Sequence, residues 1–85
     1  MPSVETLLER FRAHPENVRF ADLERVCVHF FGAPRRSGGS HMVFKTPWPG
    51  DPRVNIQNRK GKAKGYQVRQ ALIAFDRLET TTSQR

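Results

Sequence analysis

The hydrophobic positions change period partway along the chain, and the change divides it into helices and strands. Val4, Leu7, Leu8 and Phe11 recur at i, i+3, i+4 and i+7, the spacing of one helix face. They predict a first helix over residues 4–13. Ser3 stands where an N-cap belongs, since its hydroxyl can accept from an otherwise unpaired N–H of the first turn. His14-Pro15 closes the helix, because a residue before proline avoids the α region. Residues 16–19 read as a connector. Leu23, Val26, Cys27, Phe30 and Phe31 repeat the apolar stripe and predict a second helix over 22–31. Asp22 and Glu24 suit the positive end of its dipole. Gly32, followed by Pro34, supplies the stop.

The period then drops to two. His41, Val43 and Lys45 alternate with Met42, Phe44 and Thr46, which marks a strand. Pro47-Trp48-Pro49-Gly50-Asp51-Pro52 is dense in chain breakers. Residues 53–57 follow as a second strand, with Val54 and Ile56 on one side, and the two strands make an antiparallel hairpin. Residues 35–37 offer a short third strand. Residues 58–65 read as a basic loop punctuated by glycine. A last helix is expected over 66–78, burying Val68, Ala71, Leu72, Phe75 and Leu78, with residues 79–85 as a frayed tail.

The order α–α–β–(β)–β–α is that of a single α+β domain with a small antiparallel sheet of two to three strands and helices on one face. Met42, Phe44, Val54 and Ile56 then belong to the core side. Alternation puts His41, Lys45, Arg53, Asn55 and Gln57 on the opposite, open side, with Val43 the apolar exception.

Length sharpens this picture. A chain of 85 residues makes one domain and buries only about 60–65% of its unfolded surface. A site on it is expected to be an open surface rather than a deep cavity, with no cofactor. The single cysteine, Cys27, rules out an intramolecular disulfide and falls on the second helix's apolar stripe, so it reads as a small core residue. The first residues lack a basic leader and no apolar run reaches membrane-spanning length. A cytoplasmic protein without membrane contact is therefore expected.

Charge changes the picture more. The formal net charge is +7, and the sequence pI is about 10.8. Residues 35–69 hold nine of the cations and one anion, Asp51, while the remainder is close to balanced. A merely solvated surface would mix both signs. Clustering points to a polyanionic partner, nucleic acid above all. The run Arg59-Lys60-Gly61-Lys62-Ala63-Lys64-Gly65 leads into a helix N-terminus, where N–H groups favour phosphate and lysines release counterions. Its spacing is not that of a P-loop.

Of the three histidines, His14 and His29 read as surface residues, and His41 begins a strand on the basic face. Histidine's ordinary pKa lies near neutrality, so His41 can take a proton from a ribose 2′-OH or give one to a departing 5′-oxygen. Neighbouring Arg and Lys side chains can offset charge growing on the phosphate. Taken alone, a strand histidine on a basic face serves binding more often than catalysis. No cysteine–histidine cluster suggests a metal.

Gly39-Ser40-His41-Met42-Val43-Phe44 resembles the Gly-Ser-His strand motif of HicA-type toxins. Phe20-Ala21-Asp22-Leu23-Glu24-Arg25-Val26, ending at Gly32, and Gly65-Tyr66-Gln67-Val68-Arg69-Gln70-Ala71-Leu72 are similar to that family in the same order, over residues 18–78. The resemblance implies a double-stranded-RNA-binding-domain-like fold. It also implies a toxin of a type II toxin–antitoxin system that cleaves mRNA without metal through His41, and a HicB-type antitoxin that covers the basic face. The family's first strand is reduced here to Pro34-Arg35-Arg36-Ser37, and the helix over 4–13 is additional. Lys45, Arg36 and Arg59 are expected to position the phosphate. Ser40, Arg53, Asn55, Lys60, Lys62, Lys64, Tyr66 and Arg69 complete the expected RNA-binding set. Trp48 or Tyr66 offers a ring on which an unpaired base can stack; each is equally suited to packing. Two other readings stay open: an RNA-binding module without catalysis, and an interaction subunit whose basic face meets an acidic protein.

Overall fold

Ser3 caps the first helix as its side chain predicts, its hydroxyl accepting from the Thr6 N–H at 3.1 Å. The computed structural model describes residues 3–36, 41–50 and 52–83. The elements run α1 (Val4–Ala13), α2 (Phe20–Phe31), β1 (Arg35–Arg36), β2 (His41–Lys45), β3 (Arg53–Arg59), β4 (Lys62–Ala63) and α3 (Gly65–Ser83). The strands pair antiparallel in the order β1-β2-β3-β4, each beside its neighbour in sequence. This is the expected α+β arrangement, with one more short strand than expected.

Burial follows the two periods. Leu7, Leu8 and Phe11 of α1, Leu23, Val26 and Cys27 of α2, and Val68, Ala71 and Phe75 of α3 are buried. They meet Met42, Phe44, Val54 and Ile56 from the sheet in one continuous core. Phe75 stacks against two rings of α2, with centroids 4.8 Å from Phe30 and 5.7 Å from Phe31. Burial, with the negative charge of Glu24 adding to it, pushes the Cys27 thiol up to about 12. At neutral pH it is a protonated core group, not a nucleophile.

Two helix boundaries differ from expectation by two residues or more, each for an identifiable reason. Helix α2 starts at Phe20 rather than residue 22. Its first N–H groups are claimed from outside and behind: Phe20 N–H donates to the Gly61 carbonyl at 3.0 Å, and Leu23 N–H to that of Arg19 at 3.1 Å. Helix α3 runs on through residues 79–83, expected as a frayed tail, to Ser83; that stretch contains no glycine or proline to stop it. The expected third strand is present over Arg35–Arg36, and Ser37 lies outside the described residues.

The largest difference is within residues 58–65. Residues 58–63 are not a loop but a tight hairpin, with Asn58 paired to Ala63 and Arg59 to Lys62, and Gly65 already begins α3. Lys60 and Gly61 turn the chain with φ of 52° and 86°, the left-handed pair that a two-residue hairpin requires. The outer edge of β4 is covered by the connector before α2: Ala63 N–H donates to the Val18 carbonyl at 2.9 Å, and Arg19 bridges to Lys62. Gly61→Ala forces a Cβ into the left-handed region, at a cost of about 1–2 kcal/mol. In a domain of this size that lowers Tm by roughly 5–15 °C, measurable by circular dichroism. A shift under a degree would show that the turn carries no such constraint.

Candidate nucleic-acid interface

The β2–β3 register decides what the open face displays. His41 lies opposite Gln57, Val43 opposite Asn55, and Lys45 opposite Arg53. Met42 and Phe44 lie opposite Ile56 and Val54 on the buried side. The face expected from alternation is therefore assembled: Lys45, Arg53 and Asn55 are exposed, and His41, Val43 and Gln57 half-buried. Because β3 continues to Arg59, which pairs with exposed Lys62, the same face gains two cations at its far end.

Arg35 pairs with Val43 and Arg36 with Met42. By that register Arg35 shares the alternation of His41, Val43 and Lys45. Ser40, expected in the binding set, lies outside the described residues. His29 is exposed on α2, edge-on to Phe30 with centroids 5.1 Å apart, and His14 is exposed at the end of α1. Neither joins the sheet face.

At the β4 edge the face turns into an open cleft of about 780 Å³, lined by Arg59, Lys60, Lys62, Lys64, Tyr66, Arg69 and Glu16. The hairpin turn delivers the first three, and the start of α3 delivers Tyr66 and Arg69. Lys64 caps that helix through its backbone, its carbonyl accepting from the N–H groups of Gln67 and Val68 at 3.0 Å. Two sequence expectations change here. Arg69 is engaged by a carboxylate, its guanidinium donating to Glu16 Oε1 at 2.9 Å. Trp48 is committed to packing: it is half-buried, edge-on to Phe31, and covered by the Arg77 guanidinium at 4.3 Å from its ring centre. Tyr66 remains 53% exposed.

Glu16 is the member of the cleft that sequence reasoning missed. It lies 53 residues from Arg69, inside a connector with no periodic signal. Only the backbone bonds that dock the connector along β4 bring it there. The cations were legible from composition alone; their shared surface required the register and the extra hairpin.

Among the described residues no group of three or more His, Cys, Asp or Glu side chains gathers as a metal site, and no helix is long and apolar enough to cross a membrane. Compared with family models, curated proteins and solved structures, the chain matches none.

Proposed function

We propose that this chain is an RNA-binding endoribonuclease that holds a single phosphodiester on its open sheet face, with His41 as the acid–base group. The observation that carries the reading is the register: it sets one histidine among Lys45, Arg53 and the amides Asn55 and Gln57, on the segment that supplies the protein's net positive charge. Cations set register on a phosphate backbone, and amides can donate to its oxygens. His41 takes the 2′-OH proton as the 2′-oxygen attacks phosphorus. The imidazolium so formed returns that proton to the departing 5′-oxygen. The products are a 2′,3′-cyclic phosphate and a 5′-hydroxyl, with no net change in protons. Charge on the equatorial oxygens is offset by the flanking Lys and Arg side chains.

In this reading the protein is a cytoplasmic HicA-type toxin acting on mRNA, and its fold is double-stranded-RNA-binding-domain-like. The order from α2 through α3, an antiparallel sheet of sequence-adjacent strands with helices packed on its buried side, supports that comparison, with the short β4 as an addition to it. A HicB-type antitoxin would then cover the same face, where an acidic surface meets the strongest positive charge.

Incubation with end-labelled RNA in EDTA tests the reaction. Cut products ending in cyclic phosphate are expected. RNA that stays intact at every protein concentration, while still binding, would assign the face to recognition alone.

A further inference from the structure

We propose that the cleft at the β4 edge holds one unpaired nucleobase, stacked on Tyr66 and read by the Glu16 carboxylate. The inference rests on the RNA-binding reading above and gives it a base-specific contact.

Tyr66 presents a ring 53% exposed in a cleft whose volume, about 780 Å³, lies within the range of small-molecule sites. Exposed aromatics among cations are the platform on which unpaired bases stack. Trp48 is unavailable for that role, with Arg77 already over its face.

Glu16, itself exposed, decides what the α3 end of the cleft admits. Its carboxylate lies so close to the first residue of α3 that a Cβ on Gly65 would collide with it. Arg69 holds it there at 2.9 Å. A carboxylate at that helix end repels phosphate, which leaves phosphate contacts to Arg59, Lys60 and Lys62 on the hairpin side of the cleft. It accepts hydrogen bonds from an exocyclic amine. Cytosine, adenine and guanine carry one; uracil offers a single ring N–H between two carbonyl oxygens that the carboxylate repels.

Position links the cleft to the sheet face. His41 pairs with Gln57, and Arg59, on the cleft wall, is two residues further along β3. That rise is about 7 Å, close to the span of one extended nucleotide. The stacked base thus neighbours the nucleotide at His41.

The test uses fluorescein-labelled, 2′-O-methyl octamers of C and of U, which cannot be cleaved through the 2′-oxygen, and a blunt RNA duplex. Binding is followed by anisotropy. Wild type should bind the C octamer several-fold more tightly than the U octamer. Tyr66→Ala should weaken C-octamer binding about tenfold and leave duplex binding unchanged, while Tyr66→Phe keeps it. Glu16→Gln should erase the C-over-U preference. Equal binding by Tyr66→Ala and wild type overturns the proposal, as does a preference that survives Glu16→Gln. Polyglutamate that competes as strongly as RNA, and loses affinity with Lys60→Ala but not Tyr66→Ala, would instead put an acidic protein in the cleft. A protein that binds none of these RNAs removes the underlying RNA reading as well.

Discussion

Replacing His41 by alanine is expected to lower RNA cleavage by about 10²–10⁴-fold, the range that a positioned acid–base group contributes, while RNA affinity changes by less than about threefold. The separation follows from the face itself. Affinity for a polyanion comes mainly from the Lys and Arg contacts that release counterions, and those side chains remain when the imidazole is removed. Lys62→Ala should behave in the opposite way: affinity falls for all RNA sequences and the slope of log affinity against log salt drops by about one. Initial rates at saturating RNA separate the two variants, since only the histidine substitution should lower kcat strongly. Growth of a host expressing each protein provides a second readout. Equal growth arrest and equal mRNA loss with wild type and His41→Ala would sink the catalytic role while leaving RNA binding in place. Because His41 is only half-buried at the start of β2, the substitution leaves the core untouched, and a loss of activity there is a loss of chemistry.

How far the sequence foretold this surface depends on which force placed each residue. The pairing of His41, Lys45, Arg53, Asn55 and Gln57 on one face was legible, because side chains alternate across a strand and the buried partners Met42, Phe44, Val54 and Ile56 are unmistakably apolar. The helix stripes were legible for the same reason. The hairpin at residues 58–63 was not. Its turn uses Lys60 in a left-handed conformation, without the Asn-Gly or Asp-Gly pair that advertises such turns, and Asn58 reinforces it by accepting from the Gly61 N–H at 2.7 Å. A run of basic residues and glycines carries no period, so it reads as loop. The place of Arg35 in this alternation was equally hidden, since a two-residue strand contains no alternation to count. The Glu16–Arg69 pair depends on tertiary docking and leaves no local trace.

Phe75→Ala is expected to remove a large part of the fold's stability. Large-to-small changes at a buried phenylalanine cost about 3–5 kcal/mol, and Phe75 is fully buried with two rings of α2 stacked on it. A domain of 85 residues has only about 4–13 kcal/mol in total, and its thin core offers little to collapse into the space left behind. Urea unfolding should show a midpoint lowered by roughly a quarter or more; Phe75→Leu, which keeps most of the volume, should recover much of it. Ile73, two residues earlier and 68% exposed, provides the contrast: its alanine variant should lie within about 0.5 kcal/mol of wild type. A Phe75→Ala variant within about 1 kcal/mol of wild type would mean that α2 and α3 are not held together by this aromatic stack. The comparison also bears on function. Helices α2 and α3 both pack on the buried side of β3, the strand that carries Arg53, Asn55, Gln57 and Arg59. Loosening that layer frees the strand whose register sets the cations beside His41. Phe75→Ala should therefore lose RNA binding and cleavage together at temperatures above its lowered Tm, and regain both on cooling, whereas His41→Ala loses cleavage alone at every temperature.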